Sequence, residues 1–191
     1  TADLAAEAEA YLTEIGLSAD EIAALKAHLN GEWEAPAVSG YVVADSVEAG
    51  DQILYVVSYN GKYYAMTNDT TTNNAFGVVE VELEEDGTIS EAADNAVWTL
   101  EAGSAEGSFL VKDAEGQYIS YNSGTTLMLA EEGTDFNVTC GSGTAAIKPT
   151  SASTRQIFLR DNNPLQFRCY ATQNMTASGY CAVLTIYKYV P

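Results

Sequence analysis

The sequence predicts an all-β domain of three repeated units, residues 36–191, behind a short helical hairpin and linker in residues 1–35. Three observations predict it. The hydrophobic period changes from helical to strand-like after Pro36. One strand pattern returns at intervals of 55 and 39 residues. Twelve Tyr against five Phe and two Trp supply a side chain that buries its ring and keeps its hydroxyl at the rim, which suits a half-exposed sheet.

The helical hairpin comes first. Residues 2–15 are Ala/Glu-rich, with Leu4, Ala8, Tyr11, Leu12 and Ile15 on one face at helical spacing. Gly16 then stands where a helix end favours positive φ. Ser18-Ala19-Asp20-Glu21 is a capping-box signature, and Ile22, Leu25, His28 and Leu29 continue with helical period until Asn30-Gly31. Two such short helices require a surface to dock on, either the β domain or a neighbouring domain of a longer parent chain. Glu34-Ala35-Pro36 reads as the linker.

About a dozen short strands follow. Gln52–Tyr59 and Lys62–Met66 are β-branched and aromatic runs around Asn60-Gly61, a two-residue hairpin turn. Gly77–Glu84 alternates, and Glu85-Asp86-Gly87-Thr88 closes it. The segment Gly61-Lys62-Tyr63-Tyr64-Ala65-Met66 matches Gly116-Gln117-Tyr118-Ile119-Ser120-Tyr121, and more weakly Arg155-Gln156-Ile157-Phe158-Leu159-Arg160. Each copy sits between an earlier apolar strand and a later one, the later ones being Ala96–Leu100, Asp135–Thr139 and Ala182–Ile186. Three units of four strands predict a β-trefoil-like closed barrel, with a β-sandwich as the alternative.

The stretch from Tyr41 to Tyr189, about three-quarters of the chain, resembles a β-rich module that recurs in large secreted and surface proteins of gut-associated bacteria. The motifs that carry it are Ala49-Gly50-Asp51-Gln52-Ile53-Leu54-Tyr55, Gly61–Met66, Trp98-Thr99-Leu100, Gly116–Asn122, Phe167-Arg168-Cys169-Tyr170 and Leu184-Thr185-Ile186-Tyr187-Lys188. These are strand patterns without catalytic residues. The resemblance implies a non-catalytic accessory module, extracellular or on the cell surface, beside other domains. The chain begins at Thr1 rather than Met, as a piece of a longer polypeptide would.

Charge narrows the partners. The net charge is −19, and residues 1–135 hold 26 of the 27 acids with three of the eight bases. Residues 136–191 hold Asp161 against Lys148, Arg155, Arg160, Arg168 and Lys188. Bulk repulsion argues against nucleic acid and anionic membranes. No apolar run approaches the roughly 18–20 residues of a membrane helix. The basic tail either neutralises acidic strands or offers a local site to an anionic group.

Catalytic and metal chemistry finds few residues to work with. A Ser or Cys nucleophile needs an imidazole, and the only histidine, His28, lies in the second helix. Cys140, Cys169 and Cys181 lack metal-site spacing; Cys169 and Cys181 flank a turn-like stretch and are either a disulfide pair or free buried thiols. Glu84-Glu85-Asp86-Gly87 lacks the alternating oxygen spacing of a calcium loop. No cofactor and no enzyme activity are expected.

A binding module remains, with a glycan or host glycoprotein as partner. Sugars are held by aromatic faces and by Asn/Asp hydrogen bonds, and the repeat offers such groups at Tyr121 with Asn122, and at Arg160, Asp161, Asn162 and Asn163 near Tyr170. The same residues also serve as core tyrosines and turn formers. The Gln-x-Trp motif of ricin-type lectin repeats is missing, since Ala96-Val97 precede Trp98. Adhesion to a host protein of immunoglobulin or mucin type, and a structural spacer or filament subunit, are the alternatives.

Overall fold

The computed structural model describes residues 4–29, 39–71 and 74–191. The chain divides into two compact units, residues 1–37 and 38–191.

In the first unit α1 (Leu4–Glu14) and α2 (Ala19–Leu29) form where the Ala/Glu-rich periodicity requires them. The chain leaves α1 through Gly16 at φ 101°, and the Gly16 and Leu17 amides return to the Thr13 and Leu12 carbonyls. The capping box forms at α2. The Ser18 amide donates to the Glu21 carboxylate at 2.7 Å, and the Glu21 amide donates back to Ser18 Oγ at 3.3 Å. The Ser18 amide, and after it the Ser18 hydroxyl donating at 2.8 Å, hold the Glu21 carboxyl below its usual range. An ion pair between Lys26 and Glu9 joins the two helices. Ser18→Ala should cost about 1 kcal/mol of helix stability, measured as lost helical ellipticity and an earlier helix melt by far-UV circular dichroism. An unchanged melt would mean that the cap is idle. The expected stop at Asn30-Gly31 and the linker Glu34–Pro36 lie outside the described residues.

Among the described residues the second unit is β apart from two single 3-10 turns, Asp94–Ala96 and Thr172–Asn174. A lead strand, β1 (Gly40–Val43), precedes three sets of four. The first set is β2 (Gln52–Tyr59), β3 (Lys62–Thr70), β4 (Phe76–Val81) and β5 (Trp98–Ala102). The second is β6 (Phe109–Lys112), β7 (Tyr118–Tyr121), β8 (Leu127–Ala130) and β9 (Phe136–Thr139). The third is β10 (Ala146–Pro149), β11 (Arg155–Arg160), β12 (Gln166–Ala171) and, after the two-residue β13 (Tyr180–Cys181), β14 (Leu184–Val190). Asn60 and Gly61 turn β2 into β3 with φ of 50° and 75°, the pair of positive values that a two-residue hairpin needs.

All strand ladders are antiparallel and belong to one sheet that is not closed. β14 pairs with β2, β2 with β5, β5 with β6, β6 with β9, and β9 with β10. The hairpins β3–β4 and β7–β8 branch from this series at β2 and β6, and the hairpin β11–β12 joins the sheet through β12, which pairs with β4. Between β10 and β14 no ladder forms; an isolated bridge, Thr144↔Leu184, and a 3.0 Å bond from the Ala145 amide to the Leu184 carbonyl span the seam. The closed barrel expected from the repeat is therefore not present as a continuous ladder. The coarse architecture is an antiparallel, sandwich-like all-β fold.

Strand alternation builds the core. Ile53, Tyr55 and Val57 of β2 enter the main cluster, beside Trp98, Leu100, Phe136, Leu184 and Ile186 from the last strands of the three sets. The intervening β2 residues, Leu54 and Val56, face a smaller second cluster with Tyr41, Ala65, Val81, Ile89 and Tyr187. That second cluster exists because the segment between β4 and β5 folds back over the sheet. Tyr41 and Ile89 exchange both backbone hydrogen bonds at 2.9 Å, and Gly40 passes so close that a Cβ there would sit 2.9 Å from the Ile89 carbonyl oxygen. The acidic turn in that segment closes on itself, with Asp86 Oδ1 accepting from the Thr88 amide at 3.0 Å and from its hydroxyl at 2.7 Å.

Cys169 and Cys181 are free thiols. Cys169 pairs with Ile157 on one edge of β11, and Cys181 pairs with Leu159 on the other edge. A whole strand lies between them and their partners are two residues apart along it, so the Cα atoms stand about 11–12 Å apart, beyond the roughly 7 Å limit for a disulfide. Cys181 Sγ instead donates to the Ser58 carbonyl at 3.1 Å.

Candidate functional site

The residues expected to bind a ligand fall into two places. Arg160 ends β11, and Asp161, Asn162 and Asn163 form the tip that turns into β12. The Asp161 amide bonds the Gly179 carbonyl at 2.8 Å, which ties this tip to the loop before β13. The Asp161 carboxylate near Tyr59 raises the Tyr59 pKa above its ordinary value. Asn162 is half-buried, and its amide turns back to the Arg160 carbonyl at 2.9 Å; Asn163 is exposed.

Behind the tip lies an aromatic cluster. Tyr180 pairs with Arg160 in register, and the Arg160 guanidinium sits 5.3 Å from the centre of the Tyr180 ring. Tyr170 meets Tyr180 edge-on at 5.0 Å, and Phe158 lies 5.1 Å from Tyr170 and 5.8 Å from Tyr180. Tyr170 is only 2% exposed, so its ring lies beneath the surface of the site, under Arg160 and Tyr180. Its hydroxyl is buried without a hydrogen-bond partner. Burial pushes its pKa up to about 12, with the Arg168 and Arg160 charges acting the other way.

Tyr121 and Asn122 stand apart from this group. The Tyr121 backbone is fixed by Thr134 Oγ1, which accepts from its amide at 2.8 Å. The Tyr121 ring packs on the main core beside Cys169 and Arg155. Those two residues occupy the face of the β11–β12 hairpin opposite Arg160 and Tyr170, as the register Arg155↔Ala171, Ile157↔Cys169 and Gln156↔Tyr170 requires. The seven expected residues therefore do not form one site.

Sequence reading missed a cleft of about 340 Å³ on the outer face of β1, β2, β3 and β14. Its floor follows from register. Val56 pairs with Thr185, Ser58 with Tyr63, and Val43 with Tyr187, and paired residues project to the same side. Leu83 and Gly87 close one wall, and Ser142, Gly143 and Val183 another. No charged residue lines it, in a chain with 18% charged residues. Its polar groups are the hydroxyls of Ser58, Tyr63, Ser142, Thr185 and Tyr187. Thr185 Oγ1 accepts the Gly143 amide at 3.0 Å. The Tyr63 and Tyr187 hydroxyls have no hydrogen-bond partner among the described residues. Burial, and then the neighbouring Tyr63, raise the Tyr187 pKa.

A second cleft, of about 410 Å³, contains Leu110 and Tyr118. Lys112 pairs with Tyr118 as Ser58 pairs with Tyr63, so Tyr118 and Leu110 occupy in the second set the positions of Tyr63 and Val56 in the first. Its walls differ, since Glu131, Glu132 and Asp135 replace the neutral residues. Asp135 is fixed by the Ser104 amide and hydroxyl, with the hydroxyl bond the larger cause of its lowered pKa. The Tyr118 hydroxyl donates to Glu101 at 2.8 Å.

Among the described residues the one buried carboxylate, Asp113, is spent on structure: it accepts from the Glu115 and Gln117 amides and from Asn68 Nδ2 at 2.8–3.0 Å. No cluster of three metal-ligating side chains occurs among those residues, and no helix among them is long and apolar enough to cross a membrane. A scan against protein-family models finds no match to the sequence, and a search of the curated proteins finds none either.

Proposed function

We propose that residues 38–191 are a non-catalytic carbohydrate-binding module of a secreted or surface protein, built on a β-trefoil plan, with a neutral sugar residue held in the hydroxyl-lined cleft. Support for the plan comes from the pairing order. In the series β14–β2–β5–β6–β9–β10, first and last strands of successive sets alternate, and the second and third strands form the three side hairpins. The Ala145–Leu184 bond lies at the one seam that a barrel would still need to close.

The observation that carries the function is the neutral, hydroxyl-rich lining of the cleft. A pyranose presents C–H faces and a rim of hydroxyls, so it matches walls of Val56, Leu83 and Val183 set among tyrosine and serine hydroxyls. Tyr63 and Tyr187 each bring an apolar ring with an unused hydroxyl at its tip. Bulk acidity leaves this chemistry untouched, because a neutral sugar feels no net repulsion.

Wild type and Tyr63→Ala, checked for equal thermal unfolding, should be compared on an array of neutral glycans and on host glycoproteins before and after deglycosylation. Binding that disappears on deglycosylation and weakens about tenfold or more in Tyr63→Ala is the expected result, equivalent to about 1.4 kcal/mol. A silent array, or a Tyr63→Ala variant that binds unchanged, would overturn the cleft reading. Binding that survives deglycosylation would transfer the function to protein recognition.

A further inference from the structure

In a protein of net charge −19, cations kept for neutralisation would be expected to sit against carboxylates. Four of the five lysines do, pairing with Glu9, Glu80, Glu101 and Asp51. None of the three arginines is in an ion pair among the described residues. Arg155 spends Nη1 on the Cys169 carbonyl at 3.1 Å, on the far face of the β11–β12 hairpin. Arg160 and Arg168 share the near face with Tyr170, by the register Arg160↔Gln166, Phe158↔Arg168 and Gln156↔Tyr170.

On that face two guanidinium groups and a phenol gather without a carboxylate in an ion pair. Arg160 is exposed and rests on the Tyr180 ring. Arg168 commits Nε to the Thr125 carbonyl at 3.3 Å, which leaves its terminal nitrogens. The buried Tyr170 hydroxyl has no partner, although a buried polar group without one is destabilising. The nearest carboxylate in sequence, Asp161, forms no ion pair with Arg160.

We propose that Arg160 and Arg168, with the Tyr170 hydroxyl on the same face of the hairpin, form an oxyanion subsite for the carboxylate of an acidic sugar residue, separate from the neutral cleft. A carboxylate supplies two acceptor oxygens to planar guanidinium forks and leaves lone pairs for the phenol. Arg160, exposed at the rim, is the side chain that swings off Tyr180 to admit the anion. The choice of a sugar as carrier rests on the carbohydrate reading; the anion subsite itself does not.

The test uses the full chain, uniformly labelled with nitrogen-15, and follows the three arginine Nε–H signals, assigned with single Arg→Lys variants. The probes are sodium glucuronate, glucose and sodium sulfate at matched ionic strength. Glucuronate should shift the Arg160 and Arg168 signals saturably, leave Arg155 in place, and find no counterpart with glucose. Tyr170→Phe should keep the fold and weaken glucuronate about tenfold, as expected for loss of a charge-assisted hydrogen bond. Equal, non-saturating drift of all three arginines would reduce the effect to charge screening and overturn the proposal. Saturation by sulfate alone would overturn the carboxylate assignment. A glucuronate response beside a silent neutral array would sink the neutral-cleft reading and leave this one standing.

Discussion

Replacing Trp98 by alanine should destabilise the β unit by about 3–5 kcal/mol, a large share of the roughly 5–15 kcal/mol that holds a domain folded. Trp98 is fully buried in the main core, tilted against Phe76 with ring centres 5.5 Å apart. Its indole Nε1–H donates to the Met66 carbonyl at 3.0 Å, across from β5 to β3. Truncation removes the ring contacts, opens a cavity and strips the Met66 carbonyl of a partner, so the transfer, cavity and hydrogen-bond terms all act in the same direction. Urea titration followed by far-UV circular dichroism measures it, and Trp98→Phe separates the terms by keeping a ring while losing the donor. A loss below about 1 kcal/mol in Trp98→Ala would show that the site collapses around the missing ring and that this position does not hold the core.

Residues whose role is local were legible in the sequence. Ser18 with Glu21, Asn60-Gly61 and Gly16 each work through their own neighbours, and each forms what its spacing implies. The repeat was legible where a glycine opens it, at Gly61 and Gly116. In the third copy Arg155 was aligned with Gly61, which sets Ile157 level with Tyr63. Ile157 and its neighbour Phe158, which a strand sends to opposite faces, both belong to the main cluster, so burial in this copy carries no face signal. A one-residue slip moves every side chain to the other face. The ligand residues suffered from the same blindness to faces. Tyr121 and Tyr170 look alike in sequence but lie on opposite sides of one hairpin, and Tyr170 is buried.

The missed cleft has a different cause. Tyr63 and Tyr187 are 124 positions apart, and their meeting depends on β14 pairing with β2 while β3 pairs with β2 on its other edge. No local pattern encodes that. The segment between β4 and β5 reads in sequence as little more than the closing turn Glu85-Asp86-Gly87-Thr88. Its apolar members do more than turn the chain. Ile89 and Ala96 are buried in the second cluster, and Leu83 walls the cleft. The signal was present as isolated apolar residues at Leu83, Ile89 and Ala92 within an otherwise acidic stretch, each in contact with the second cluster. Acidic residues keep that excursion's outer surface wet while the apolar ones pin it to the sheet.

Tyr170→Phe should make the protein more stable, by about 1–3 kcal/mol, which corresponds to a rise in Tm of roughly 2–4 °C per kcal/mol for a chain of this size. The ring is retained, so the contacts with Phe158 and Tyr180 at 5.1 and 5.0 Å survive. What disappears is a hydroxyl sealed from water without a partner. Tyr55→Phe is the matched comparison, and its sign is reversed. Tyr55 is fully buried as well, but its hydroxyl donates to the Ile157 carbonyl at 2.8 Å, so deletion leaves that carbonyl unpaired and should cost about 1 kcal/mol. Calorimetry of the two variants beside wild type measures both signs under one set of conditions. A Tyr170→Phe variant that is neutral or less stable would mean the phenol already has its acceptor, and the case for an anion between Arg160 and Arg168 would fall with it. A stabilised variant that has also lost glucuronate affinity would show the opposite relation: a hydroxyl that costs folding stability and is held in place for a ligand.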